Sequence, residues 1–363
     1  MQENEIEIKW TRVKDFLKKR KLDGVIINRI SNFSWFTGGR NNYVATNTEF
    51  GASSLLVTEK KIYLLANNIE ANRIKQEEIA RLPVDDIICV WHQDEKLFET
   101  ARKVAGNNIG IDKPVEKFEF VDLDRLHFPL LDIEIERFKN LGQKVSKTVS
   151  EVCRQIEIGT TENQVAGMLS EHFWAQGSVP VVLLIAADER IASFRHPIPT
   201  NKKIEGYAMI VVCVYEKGLI VSMTRIVSFG NLPEEIKKKH QAVCAVDAAF
   251  ILSTKPGMSV GEVFRSGIAA YRKMGFPDEW EKHHQGGPCG YKTRYYRATE
   301  NSTDIIKQGY AFAWNPSITG TKSEDTIIST ENNPLIITED SKWPSISIET
   351  GGKCIKRSDI LVR

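Results

Sequence analysis

Two stretches of this chain repeat one another at a fixed interval, and that repeat limits the folds open to it. Gly159, Thr161, Gln164, Val165 and Gly177 recur as Gly257, Ser259, Glu262, Val263 and Gly275, each 98 residues further on. In both copies a Thr or Ser stands three residues ahead of a Gln or Glu, the capping-box pattern that opens a helix, and a glycine stops it. Upstream of the first copy, Phe138, Leu141, Val145, Val149, Val152 and Ile156 are spaced by three and four residues, the period of one buried face of a long helix. Strand-like segments follow: 181–186, a hairpin over 207–229 that turns at Glu216-Lys217-Gly218, and in the second half 310–314 and 325–330. The pattern predicts an α+β domain over 131–363, with two related halves around a curved antiparallel sheet. Clefts between such halves are where ligands usually sit.

Residues 1–130 have a different texture. Ile6, Trp10, Val13 and Leu17 have helical spacing that ends at Gly24, and 25–28, 53–58, 62–66, 87–91 and 109–112 read as strands. Helices and strands in alternation predict a smaller α/β domain.

With 363 residues and 42% hydrophobic content the chain buries a core large enough for two domains. Lys and Arg number 49 against 47 Asp and Glu, a net charge of +2 with no block of one sign. The basic stripe of a nucleic-acid or membrane-surface binder is therefore missing. The opening MQENEIEIKW has no basic segment and apolar core, and the longest apolar run, 179–187, falls short of the roughly 20 residues that span a bilayer. A cytoplasmic protein is the expectation. Six cysteines without a CxxC pair fit reduced thiols rather than disulfides or a zinc site.

GxxxxGK[ST], GxGxxG, HExxH and GxSxG are all absent, so nucleotide-binding and serine-hydrolase readings have no support. The polar clusters that remain are FRHPIPT around His196, SMTR at Arg225, HHQGGPCGYKTRYY from His283 to Tyr296, and WNPSITGTKSEDTIIST with its acidic pair Glu324 and Asp325. Several such clusters in one domain suggest a shared cleft. Adjacent His283 and His284 point opposite ways on an extended backbone, so at most one is expected to face a ligand.

In order and spacing, RHPIPT, the hairpin ending in SMTR, HHQGGPCGY and KSEDTIIST resemble the creatinase/prolidase/aminopeptidase P superfamily, the "pita-bread" M24 peptidases. DGVIINRISNFSWFTGG resembles the start of that family's creatinase-type N-terminal domain, so the likeness covers nearly the whole chain. It implies a pita-bread domain with pseudo-two-fold halves over 131–363, preceded by a creatinase-like α/β domain over 1–130. Metallopeptidases of this family hold two divalent ions. The resemblance puts their ligand positions at Val211, Ser222, Gly287, Asn315 and Glu324, of which only Glu324 keeps the family residue. One carboxylate facing two dications cannot hold a dinuclear site, so no metal and no cofactor are expected.

The departures leave a different set. His196 matches a substrate-facing histidine of the family, Lys322 stands in for a family Arg, and Arg294 replaces a second substrate-facing His. Creatinase, a metal-free member, implies a route in which His196 is general acid/base and Glu324 orients the scissile group or a water. Arg294 or Lys322, with Arg225 nearby, would clamp the carboxylate of a small nitrogen-containing substrate. Of His283 and His284 one would line the cleft, beside Asn315. The resemblance also implies a homodimer in which Arg40 and Asn42 reach a partner's site. Three readings stay open: a metal-independent creatinase-like hydrolase, a non-catalytic binding module, and an Xaa-Pro aminopeptidase or dipeptidase. A blander account of the charges is that Arg225 and Lys322 only neutralise Glu324 and Asp325 within the sheet.

Overall fold

The computed structural model describes residues 2–363, with side chains from Glu5 onward. Two compact units emerge, Met1–Leu131 with Lys217–Leu219, and Asp132–Glu216 with Ile220–Arg363.

In the first unit, helix α1 (Gln2–Arg20) buries Val13 and Leu17 completely, as their helical spacing predicts. Strands β1 (Gly24–Arg29), β2 (Phe50–Thr58), β3 (Ile62–Asn67), β4 (Val84–Cys89), β5 (Ile109–Ile111) and β6 (Glu119–Phe120) form one sheet ordered β4-β3-β2-β1-β5-β6. The sheet is mixed: β2 runs antiparallel to β1 and β3, while β5 and β4 join in parallel. Helix α2 (Ile30–Phe36) follows β1, and short helix α3 (Ala71–Arg73) follows β3. Helix α4 (Glu95–Ala105) buries Ala101 in an apolar cluster with Ile26, Leu56, Leu65 and Ile87. Strand β4 departs from the 87–91 expectation. It starts at Val84 and runs on through Asp85 and Asp86, whose carboxylates pair with Lys61 and Lys75, and these acidic residues hide the strand start from any apolar pattern.

The second unit carries the repeat. Helices α5 (Asp132–Gln155) and α6 (Glu162–Ala175) precede strand β7 (Val179–Ala187), short helix α7 (Glu189–Ser193) and the hairpin β8 (Tyr207–Glu216) and β9 (Leu219–Ser228). Helices α8 (Glu234–Ser253) and α9 (Val260–Lys273) precede β10 (Gly286–Cys289), β11 (Ala311–Trp314) and β14 (Asp325–Ile328). Both capping boxes form as their sequences predict, at Thr161 with Gln164 and at Ser259 with Glu262. The glycines that lead into them match as well, Gly159 at φ 91° and Gly257 at φ 89°. Each cap residue also makes a lone antiparallel bridge to a later segment, Thr161 to Lys203 and Ser259 to Ile305. A two-stranded ribbon, β12 (Ser317–Ile318) with β13 (Thr321–Lys322), interrupts the second half between β11 and β14. Strands β15 (Leu335–Ile336), β16 (Ser345–Thr350), β17 (Lys353–Ser358) and β18 (Leu361–Val362) complete the unit.

Two four-stranded sheets result, β18-β9-β8-β7 and β10-β11-β14-β15. They meet where Thr224 of β9 bridges Glu324 and where Ser222 N–H donates to Thr326 Oγ1 at 2.8 Å. Behind the second sheet, Trp314 stacks on Phe250 of α8 with ring centroids 4.7 Å apart and donates its indole N–H to Thr254. That packing fixes the strand end leading to Asn315. Among the described residues no helix is long and apolar enough to cross a membrane.

Candidate active site

Successive residues of an extended chain face opposite ways, and the stretch 322–325 shows the consequence. Ser323 and Asp325 turn to one side. Ser323 donates to Asp247 of α8, Arg357 of β17 bridges Asp247 and Asp325, and Arg225 donates to Asp325 Oδ1 at 2.9 Å. Lys322 and Glu324 turn to the other side.

Glu324 is 2% exposed, and both its oxygens are engaged. Lys322 Nζ lies 2.8 Å from Oε2, which also accepts from Thr224 Oγ1 at 2.7 Å; Arg294 donates to Oε1 at 3.0 Å. Burial alone would raise the acid's pKa. The two cations and the Thr224 hydroxyl outweigh it and hold Glu324 down at about 2, a permanent carboxylate. Two positive groups on one negative one leave this corner with a surplus positive charge.

Three imidazoles share the same neighbourhood. His283 Nε2 faces His196 Nε2 at 3.1 Å, and the His283 and His284 rings stack 4.4 Å apart at 24°. Both adjacent histidines therefore reach one point, contrary to the expectation of opposite faces. His283 itself is extended, at φ −158° and ψ 143°, but the chain does not continue so. Buried Gln285 ties the bend by donating to the carbonyls of Trp280 and His283 while accepting from Tyr271, and Gly286 N–H donates to His284 Nδ1 at 3.3 Å. The loop carrying His196 is fixed by its neighbour: Arg195 donates to Glu279 at 2.8 Å and to Thr319 at 2.9 Å. Its far end is pinned where Thr200 donates to buried Glu162. Burial and the Lys322 charge lower all three pKa values, His283 to about 2 and His284, where Arg294 adds to them, to about 4. The lowered values favour the neutral form of all three rings, and His196 is the exposed one of the three.

Other expected residues fall elsewhere. Arg225 is 2% exposed and faces the Asp325 side, where it also donates to Thr338 O, so it does not line the cleft. Asn315 is buried beside β11 with its backbone N–H on Gln285 O, and its Oδ1 has no hydrogen-bond partner among the described residues. Arg40 is half-buried in the first unit, held through its backbone by Thr37 and Ser34. Asn42 is fully buried there and donates to the carbonyls of Asn28 and Ser53. Gln285 and Arg195 went unnamed as individuals in the sequence, although each adjoins a singled-out residue, and Thr224 served there only to anchor the hairpin. Arg297, whose charge acts on His196 and His284, is a further addition.

The donor set does not fit the paired metal ions of the resembled family. Val211 packs with Leu184, Met209 and Ile226, and Ser222 Oγ is engaged by Cys213 and Arg294. At Gly287 a Cβ would sit 2.5 Å from Tyr296 O, so this backbone does not admit a ligating side chain. The carboxylate that remains is closed by two protein cations.

Comparison with known proteins agrees with the architecture. Residues 136–339 match the model of metallopeptidase family M24, and 9–129 match that of the creatinase/prolidase N-terminal domain. The Xaa-Pro dipeptidase of Pyrococcus furiosus is 21% identical over 346 residues, covering 89% of this chain and 95% of its own. Among solved structures, the prolidase of Pyrococcus horikoshii superposes with a TM-score of 0.77 at 20% identity, over 91% of this chain and 98% of that one. An Xaa-Pro dipeptidase from Bacillus anthracis gives 0.79 at 17% identity, over 99% of this chain and 100% of that one. With its doubled halves, its pita-bread architecture and its creatinase-type first domain, this chain belongs to metallopeptidase family M24.

Proposed function

We propose that this chain hydrolyses a C–N bond in a small carboxylate-bearing compound without the paired metal ions of its family. One observation carries the reading: Lys322 and Arg294 lie at 2.8 and 3.0 Å on Glu324, so protein cations stand where the carboxylate would meet metal ions. Here His196, neutral and exposed, exchanges protons with the reacting nitrogen or a water. Glu324 is a positioning residue that orients the two cations, and their surplus charge attracts the substrate's carboxylate. Xaa-Pro dipeptides, which the relatives' names point to, are small carboxylate-bearing amides and belong among the candidate substrates with guanidino and betaine-like acids.

The test is turnover of that panel by chelator-treated protein. Expected are hydrolysis of at least one compound without metal, a loss of about 10²- to 10⁴-fold in kcat for His196→Asn, and a raised KM for Arg294→Met. Turnover that appears only with added Mn²⁺ or Co²⁺ would make the chain a metallopeptidase with ligands from elsewhere. A second reading, a non-catalytic binding module, is favoured by the full engagement of Glu324, which leaves no carboxylate free to activate a water. Thermal stabilisation by a panel compound without any turnover would select it.

A further inference from the structure

The three imidazoles have a chemistry of their own. One ring nitrogen from each of His196, His283 and His284 lies within 4.8 Å of one from each of the others, and the closest pair, on His196 and His283, is 3.1 Å apart. Around a tetrahedral ion with bonds of about 2.0–2.1 Å, neighbouring nitrogens are about 3.3 Å apart, so a small closure of the rings brings all three to bonding distance. Two nitrogen atoms facing each other at 3.1 Å share at most one proton. His283 Nδ1, in a residue 7% exposed, has no hydrogen-bond partner among the described residues. The cluster is thus a nearly assembled donor set: an ion on either nitrogen of His284 costs only the 3.3 Å contact from Gly286 N–H, because Nδ1 then is the ligand or carries the ring proton.

We propose that His196, His283 and His284 together bind a single borderline transition-metal ion of the Zn²⁺ class, at a site distinct from the family's paired-ion positions. Three nitrogen donors without a carboxylate select Zn²⁺, Co²⁺, Ni²⁺ or Cu²⁺ over the hard ions Mg²⁺ and Mn²⁺. Gln285 fixes the backbone that carries the adjacent rings by donating to the His283 carbonyl, and Arg195 fixes the loop bearing the third. The nearby positive charges of Lys322 and Arg297 favour an anion, chloride or hydroxide, in the fourth position. In the reaction proposed above, which this last step takes as given, the ion occupies His196 and therefore inhibits.

Stripped full-length protein titrated with Zn²⁺ by calorimetry and with Co²⁺ by visible absorption tests the site. One ion per chain and a four-coordinate cobalt spectrum are expected. His284→Gln and the more exposed His196→Gln should each lose at least about 10- to 100-fold in affinity, the loss that even an outer-sphere partner brings. Asn315→Ala, at one of the family's ligand positions, should bind as the parent does. No saturable binding, two ions per chain, or affinity unchanged in both histidine variants would overturn the site. Its stoichiometry is read without any substrate, so absence of turnover across the panel would count against the hydrolase reading alone. If turnover is found, activation by one equivalent of Zn²⁺ would overturn the inhibitory role.

Discussion

Glu324 shows how a single buried carboxylate shapes its surroundings. Removing one member of a buried ion cluster strands the others, which typically costs about 3–5 kcal/mol, whereas removing matched charges together costs far less. Lys322→Met should therefore destabilise the chain by about that amount in urea denaturation, and adding Glu324→Gln should restore much of the loss. Equal losses in the single and double variants would contradict the pairing. The histidines set the response to acid. Because folding holds His283 and His284 neutral down to about 2 and about 4, the unfolded chain takes up protons first as pH falls below 6.5. Stability is full above that point and falls by about 1.4 kcal/mol per pH unit for each imidazole below it. Glu324, with its lowered pKa, adds a further loss from 4.5 down to about 2. Urea midpoints measured from about pH 7 to about pH 5 should drop, and His283→Gln should flatten the slope. At this scale the sequence was half legible. Strand alternation, left unapplied at 322–325, would have separated Glu324 from Asp325 and Lys322 from Arg225, which the sequence reading grouped together; applied to His283 and His284, the same rule missed a bend that only Gln285 and Tyr271 reveal.

Elements whose signals are local were the readable ones. Both capping boxes and the apolar face of α5 sit within a few residues of sequence, and the structure forms them as written. Thr161→Ala and Ser259→Ala should each lose about 1 kcal/mol of stability, checked by the same urea curves. The β12–β13 ribbon and the start of β4 were missed: the ribbon's two-residue strands, joined by Thr319-Gly320, are too short to show a period, and Asp85 and Asp86 mask the strand that pairs with β3. Gly287 belongs here too. At φ 154°, with Tyr296 O where a Cβ would go, Gly287→Ala should destabilise β10 by about 1–3 kcal/mol, and an unchanged melting temperature would disprove the close approach.

At the scale of the molecule, the doubling that opened the sequence reading accounts for the architecture. Two helix pairs, each with its strands, meet at the bridge between Thr224 and Glu324. Hard divalent ions have no carboxylate cluster to enter there, so Mn²⁺ at millimolar concentration should leave the melting temperature where it was. A shift that grows with Mn²⁺ would point to ligands outside the resembled positions.

On the metal-free reading proposed above, the tight backbone at Gly287 also makes a return of the paired ions hard. A mutation restoring histidine there meets Tyr296 O before any ion can reward it, and an aspartate at 211 lands in an apolar cluster. Each single step toward the family's ligand set runs uphill while Lys322 and Arg294 still occupy Glu324. On that reading the closed carboxylate corner works as a ratchet: from it, new chemistry is reached more readily than the family's is recovered.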